Sequence, residues 1–378
     1  MHIRSSLMIA LMVIVIKICW LSCAEAGISQ FKAPEITADA AVLIDANTGQ
    51  VLFDKNMHQR RPPASTTKIM TALLALEGGN LTDKVTVSDK AAQTGECSIN
   101  LRPNEILTLE ALIYGALMRS GNDACVAIAE HVAGSEENFI RLMNHHAKIL
   151  GAQNTNFLNT NGLPEDQHYS TAYDLAQIAR YAMNKVKFRD IVSTKSKEIT
   201  NEDGEKRFFQ NTNKLLWLYR GSDGIKTGTT DAAGSCLVGS AKKDGRHLIS
   251  VVLHSDDRYA DTIKLLNHGF DDYEEVVVLT KGEHFTTLHI ENGYSSTVPI
   301  IAGSGLSVLV PKGEIGTFEQ LVKLERNLSA PIRYHQRVGT LDVSVKGEVV
   351  GSVELITGAA INKLPVHLKI YNKLDKHL

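Results

Sequence analysis

A hydroxyl and an amine one helical turn apart carry the first chemistry in this chain. In Pro62-Pro63-Ala64-Ser65-Thr66-Thr67-Lys68-Ile69-Met70, the prolines impose an extended approach. The residues that follow, Thr71-Ala72-Leu73-Leu74-Ala75-Leu76-Glu77, are mostly strong helix formers and close at Gly78-Gly79. Ser65 is therefore expected at or just inside a helix N-terminus, with Lys68 on the same face one turn on. A serine hydroxyl becomes a nucleophile when a base takes its proton, and a lysine at this spacing can reach it. The free amides of a first helical turn favour negative charge developing nearby. The spacing alone is not diagnostic. Ser240 and Lys243 repeat it just before Asp244-Gly245, a hairpin turn signal, and read as solvated surface.

Two further short stretches supply groups that such a serine would need. Ser120-Gly121-Asn122 falls between two apolar helical segments, where a tight turn would push a hydroxyl and an amide into a cleft. Ser98-Ile99-Asn100 has the same spacing but lies in polar loop sequence, and we set it aside. Lys226-Thr227-Gly228 puts a cation, a hydroxyl and an unobstructed backbone on one strand edge. Lys226 and Thr227 could hold a carboxylate, and Gly228 would let a substrate backbone lie along the strand.

The elements that must position these groups are readable in outline. Ala41–Ile44 and Val51–Phe53 flank the turn Asp45-Ala46-Asn47-Thr48-Gly49, a strand pair delivering the chain to Ser65. Helices are expected at Thr108–Met118, Asp123–His131 and Asn138–Leu150, with a fourth capped by Ser170-Thr171 and carrying Asp174 in its first turn. After Lys185 the pattern turns to strands, at Gly224–Gly228, Ser235–Gly239 and His247–Leu253. Strands at both ends with helices between suggest one antiparallel sheet packed with helices, an α+β domain. Beyond Asp271-Asp272-Tyr273-Glu274-Glu275 the chain reads as β, as in the alternation of Leu341-Asp342-Val343-Ser344-Val345-Lys346. Lys-Gly-Glu recurs at Lys281, Lys312 and Lys346, each taken as a hairpin tip.

The chain has 378 residues, enough for two domains, and 43% of them are hydrophobic. A formal net charge of -2, without a basic run interleaved with aromatics, argues against nucleic-acid binding. Arg4 precedes the apolar run Leu7–Ile16, and the segment ends at Ala24-Glu25-Ala26, a small-x-small pattern. We read residues 1–26 as a cleaved export signal; the rivals are an uncleaved anchor and a lipid on Cys23. Three cysteines then remain, Cys97, Cys125 and Cys236, without metal-ligand spacing. No metal or cofactor is expected, and the 14 histidines show no triad spacing. In the tail, Val366, Ile370, Leu374 and Leu378 would share a helix stripe opposite Lys369, Lys373 and Lys376. That pattern suits a membrane surface, but Val366–Ile370 alternates equally well as a last strand.

Taken together, Ser65-x-x-Lys68, Ser120-x-Asn122 and Lys226-Thr227-Gly228 resemble the penicillin-recognising serine transferases. The surrounding residues are similar to the low-molecular-mass D-alanyl-D-alanine carboxypeptidases. They are Pro63–Thr71, Ser120–Cys125, Asp223–Thr230, Ala40–Phe53, Ser170-Thr171-x-x-Asp174 and Val338-Gly339-Thr340-Leu341. The resemblance implies a β-lactamase/transpeptidase-like α+β catalytic domain over 27–275, a small β-rich domain over 276–364, and a tail over 365–378. It implies an exported enzyme, in the periplasm or on the outer face of the cytoplasmic membrane, that removes the terminal D-alanine from peptidoglycan stem peptides and is acylated by β-lactams. Ser65 would be the nucleophile, Lys68 its base, made neutral by a nearby cation such as Lys226. Ser120 would relay a proton and Asn122 would orient substrate and Lys68. The amides of Ser65 and Thr229 would hold the oxyanion; Lys226, Thr227 and Arg258 would take the terminal carboxylate, Arg258 being otherwise a surface arginine. The rival functions are a class A-like β-lactamase, for which Glu165 is the only glutamate in a suitable loop, a DD-endopeptidase, and a non-catalytic penicillin-binding wall sensor.

Overall fold

The computed structural model describes residues 33–365 except 315–317, 326 and 346. The proposed export signal and all of the tail but Pro365 lie outside these. The chain divides into two compact units, Lys32–Asp272 and a second from Tyr273 onward.

The first unit is built on a five-stranded antiparallel sheet. Its order in space is Val51–Lys55, Ala40–Asp45, Arg246–Ser255, Gly234–Lys243, Ser222–Thr230. The N-terminal hairpin and the three late strands thus meet, as strands at both ends of the segment suggested. Ala40 to Asp45 are all buried, so this strand is covered on both faces. Asp244 (φ 51) and Gly245 (φ 80) form the expected tight turn between Gly234–Lys243 and Arg246–Ser255. The strand Ser222–Thr230 is the edge, and its buried face, at Gly228, packs against the turn that bears Ser65.

Three helices read from the sequence appear at Leu109–Met118, Asn122–Ala133 and Glu136–Ile149, and the fourth at Ala172–Met183. Thr108, Ser135 and Thr171 cap the first, third and fourth, each hydroxyl accepting from a backbone N–H three residues on. Gly134 ends the second in a left-handed conformation (φ 75).

The strand-only reading after Lys185 is corrected by three helices, Val186–Ser193, Leu215–Leu218 and Arg258–Asp271. The last is capped by Asp257, whose carboxylate accepts from Tyr259 and Ala260 N–H, and it packs on the sheet through Leu265, Leu266 and Phe270. Ser240 is also not solvated. It lies fully buried in the sheet and donates to Asp223 at 2.6 Å, while Lys243 is exposed at the strand's end.

In the second unit, Tyr273–Leu279 pairs with Leu306–Pro311, and six strands form a further sheet running from Phe318–Leu324 to Leu328–Ser329. Leu341 and Val343 point into its core, as the alternation predicted. Gly282, Gly313 and Gly347 all adopt positive φ, so each Lys-Gly-Glu does mark a turn. Only the turn at Gly347 is a hairpin tip; the other two join strands of different sheets. A left-handed glycine fixes a reversal of the chain, but side-chain packing chooses the strand's partner. No helix among the described residues is long and apolar enough to cross a membrane.

Candidate active site

Ser65 sits in a short 3-10 turn, Ala64–Thr67, leading into the buried helix Lys68–Gly78. Thr66 ties the turn to its approach, its hydroxyl donating to Pro63 O at 2.6 Å. The turn is pressed between two glycines. A Cβ on Gly228 of the edge strand would lie 2.9 Å from Ser65 N and 3.0 Å from Ala64 Cβ. A Cβ on Gly162 would lie 1.8 Å from Ala64 O. The bare backbone of Gly228, first read as room for a substrate, is thus used by the turn that bears the hydroxyl.

Lys68 Nζ is fully buried and makes three contacts: Ser65 Oγ at 2.8 Å, Asn122 Oδ1 at 2.8 Å and Asn161 O at 2.6 Å. An ammonium donates all three of its hydrogens here. A neutral amine has two hydrogens and one lone pair. Asn161 O and Asn122 Oδ1 can only accept, so the lone pair must face the one partner with a proton to give, Ser65. Loss of a proton from Lys68 therefore aims its basic electron pair at the serine hydroxyl. Burial holds the Lys68 pKa below its ordinary value.

The sequence reading credited that depression to a neighbouring cation. Burial is the first cause for Lys68 and also for Lys226, which is pushed down to about 7, with repulsion from Lys68 second. Repulsion between the two buried amines thus depresses Lys226, whereas at Lys68 burial alone does so. Lys226 Nζ donates to Ser120 Oγ at 3.1 Å and to Thr227 O at 2.8 Å.

Ser120 occupies the expected interhelical turn, held in a left-handed conformation (φ 64) and nearly buried. The next helix starts at Asn122, whose side-chain N–H donates to Gly95 O at 3.0 Å, leaving its oxygen for Lys68. Ser98 is structural: its hydroxyl donates to the buried Asp123, which also accepts from the N–H groups of Ile99 and Leu101. Cys125 is buried beside these groups, its thiol pushed up to about 12 by burial, so it stays protonated and inert.

Along the edge strand Lys226 and Gly228 are buried, whereas Thr227 is half-buried and Thr229 exposed. The two-residue alternation puts the threonine hydroxyls on the accessible face and the lysine on the inner one. Arg258 is braced against that face. Its guanidinium donates to Gly228 O at 2.7 Å, Cys236 O at 3.0 Å, Thr229 Oγ1 at 2.6 Å and Ser235 Oγ at 3.1 Å. It is a positioned cation, and the structure brings it to Thr229 although 29 residues separate them in sequence.

Of the loop that closes the site from the other side, sequence reasoning singled out only Glu165 and missed the turn at Asn159–Gly162. Asn159 Oδ1 accepts from Gly162 N–H at 2.7 Å, and Asn161 Oδ1 accepts from Leu163 N–H at 3.0 Å. This nested turn presents Asn161 O to Lys68, while Thr71 Oγ1 donates to Thr160 O and anchors it to the serine helix. His168 supports it: Nδ1 accepts from Leu158 N–H at 3.0 Å, leaving Nε2–H to donate to Thr67 Oγ1 at 3.0 Å. Burial pushes the His168 pKa down to about 4, keeping the ring neutral. The signal was present as Asn159-Thr160-Asn161-Gly162, an Asn-Gly turn. Glu165, further along, accepts from Asn159 Nδ2 at 2.9 Å; what the loop turns toward Lys68 is a carbonyl and not a carboxylate.

Residues 28–257 match the family model described as D-alanyl-D-alanine carboxypeptidase, and residues 273–363 match that of the penicillin-binding protein 5 C-terminal domain. The chain is 38% identical over 322 residues to D-alanyl-D-alanine carboxypeptidase DacF of Bacillus subtilis, covering 83% of each chain. It is 37% identical over 341 residues to D-alanyl-D-alanine carboxypeptidase DacC of Escherichia coli, covering 86% of this chain and 84% of that one. Among solved structures, penicillin binding protein 5 from Haemophilus influenzae is similar with a TM-score of 0.77 at 32% identity, over 88% of this chain and 99% of that one.

Proposed function

Since this chain belongs to the D-alanyl-D-alanine carboxypeptidase family of serine hydrolases, we propose that Ser65 is the nucleophile that carries the acyl-enzyme and that Lys68 is its base. The observation that supports this most strongly is the Lys68 amine, 2.8 Å from Ser65 Oγ and otherwise ringed by acceptors. Neutral Lys68 takes the Ser65 proton as Oγ attacks the carbonyl between the last two D-alanines of a peptidoglycan stem peptide. The oxyanion rests on the amides of Ser65 and Thr229. Removing one such donor typically costs on the order of 10²–10³ in rate. Ser120, held by Lys226, passes a proton to the leaving amine, and water then hydrolyses the ester on Ser65.

The terminal carboxylate of the substrate is held by Thr227 Oγ1, Thr229 Oγ1 and Arg258, with the charge of Lys226 behind them. This refines the earlier pairing of Lys226 with Thr227, because alternation along the strand turns Lys226 toward Ser120. β-Lactams, which the family binds, enter the same site and acylate Ser65. Mass spectrometry after mixing with a D-Ala-D-Ala-ended peptide and, separately, with penicillin tests the reading. Release of D-alanine and a penicilloyl adduct on the Ser65 peptide are expected; labelling without D-alanine release would leave a penicillin-binding sensor, and labelling at another residue would end the assignment.

Peptidoglycan lies outside the cytoplasm, and the relatives act there. We place this chain in the periplasm or on the outer face of the membrane, with residues 1–26 as export signal and the lysine-bearing tail resting on the lipid surface. If protein lacking the residues after Leu364 bound anionic vesicles as well as the full chain, the tail would have no such role.

A further inference from the structure

Toward the other end of the sheet from Ser65, a cavity of about 450 Å³ is lined by Arg180, Arg189, Lys242, Lys243 and His247, with Asp244 its one acidic residue among those described. We infer that this cavity binds the phosphate group of a phosphate ester, apart from the catalytic cleft.

The separation follows from strand register. Cys236, in the strand Gly234–Lys243, pairs with Gly228, which backs the Ser65 turn. Lys242 lies six residues further along the same strand, about 20 Å away at the rise of a strand. An anion held there leaves Ser65 and Arg258 open to a substrate.

Two guanidiniums carry the charge of the cavity. Arg180, in the last turn of Ala172–Met183, donates from Nε to Ala46 O at 2.9 Å and from Nη2 to Asn47 O at 2.7 Å. Arg189, in the helix Val186–Ser193, donates from Nη1 to Met183 O at 2.6 Å. These carbonyls fix the direction of both guanidiniums but bear no net charge, so neither cation is neutralised. Of five N–H groups on each, Arg180 commits two and Arg189 one. Arg61 and Arg207, likewise half-buried in this unit, are paired with Asp39 at 2.9 Å and Glu105 at 2.6 Å. Arg258, held by neutral oxygens alone as these two are, is the group assigned above to the substrate carboxylate.

The exposed lysines add charge that is only loosely tied. Lys242 pairs with Asp223 at 3.2 Å and Lys243 with Asp271 at 2.7 Å, and exposed pairs of this kind contribute little. With both counted as neutralised, two guanidiniums still stand against the single carboxylate of Asp244. A carboxylate fills one guanidinium fork, whereas a phosphate has oxygens enough to accept from two. The volume leaves room for the organic part of an ester beside its phosphate.

Calorimetric titration of the full chain at fixed ionic strength tests the site, with glycerol 3-phosphate, inorganic phosphate and acetate as ligands. Saturable one-to-one binding of both phosphates, and none of acetate, is expected. Arg189→Gln removes a charge-assisted contact and should weaken phosphate binding at least about tenfold. Asp244→Asn should tighten it about two- to fivefold; Asp244 is exposed with φ 51, a conformation asparagine tolerates, so this variant keeps the turn even if Arg189→Gln fails to fold. Sedimentation with phosphatidylglycerol vesicles identifies the source of the ester: less full-length Arg189→Gln than wild type on the vesicles assigns a lipid headgroup, and equal amounts assign a soluble phosphate ester. No saturable phosphate binding, acetate bound as well as phosphate, or an affinity unmoved by both substitutions would overturn the site. Phosphate binding lost in Arg258→Gln alone would place the anion in the catalytic cleft instead.

Discussion

Replacing Gly162 by alanine tests whether the loop opposite Ser65, the proposed nucleophile, sets the position of Lys68, its proposed base. The added Cβ would stand 1.8 Å from Ala64 O, 2.3 Å from Ala64 C and 2.9 Å from Ser65 N. All three are main-chain atoms, so no rotamer change relieves the overlap, and a contact of 3.0 Å requires loop and turn to part by more than an ångström. The φ of +90° costs an alanine about 1–3 kcal/mol, and forced overpacking adds about 1–3 kcal/mol. At 2–4 °C for each kcal/mol in a unit of this size, Tm should fall by at least about 4 °C. Parting the loop also withdraws Asn161 O from Lys68, and a misplacement of about 1 Å costs on the order of 10²-fold in rate. The assay is the second-order rate of covalent labelling by a fluorescent penicillin, on protein shown by circular dichroism to be folded. Gly134→Ala is the control, because Gly134 has φ +75° but open space around it. It should lose about 1 kcal/mol of stability and label normally. Labelling of Gly162→Ala within threefold of wild type, or an equal loss in Gly134→Ala, would refute the reasoning.

Arg258→Gln removes a charged donor from the accessible face of the edge strand. It should lower kcat/KM for a D-Ala-D-Ala acid by about 10- to 100-fold and much less for the corresponding amide; equal losses on both would deny Arg258 the carboxylate. Ser120→Gly should relieve the left-handed backbone strain and raise stability by up to about 1 kcal/mol while lowering acylation by on the order of 10²-fold. A variant that is both active and more stable would remove Ser120 from the proton path. Lys226 has a folded pKa of about 7 against an ordinary 10.5. Below pH 7 it is charged folded and unfolded alike; between about 7 and 10.5 the unfolded chain holds a proton that the folded one has released. This group's contribution to stability therefore rises with pH through that window. The Tm of wild type should gain on that of Lys226→Met from pH 7 to 10, and parallel curves would show that Lys226 is not depressed.

What the sequence carried well was local. The serine turn, the caps at Thr108 and Thr171 and the Asp244-Gly245 turn all follow from residues adjacent in the chain. What it carried poorly depends on long-range contact. Asn161 meets Lys68 across 93 positions through a backbone carbonyl, an atom every residue type possesses, so no side-chain pattern advertises it. Gly228 was assigned to the substrate because a glycine shows only that something comes close, not what. The helix Arg258–Asp271 begins at Asp257-Arg258 without an apolar lead, and its period was lost among the flanking strands. Ser240 looked like surface because the Asp244-Gly245 turn lies just beyond it, whereas the strand stays buried as far as Ala241.

The two side-chain-free walls beside Ser65 bear on how an inhibitor could be escaped. A β-lactam bound at Ser65 would have main chain from Gly162 and Gly228 packed behind the turn that carries the hydroxyl, and every substitution retains main chain. Trimming is unavailable where there is nothing to trim, and enlarging either position displaces Ser65 together with the drug. Resistance arising within this protein would have to come from the outer lip, at Thr229, Arg258 or the Glu165–Asp166 corner. There a change could loosen the inhibitor and leave the serine where it is.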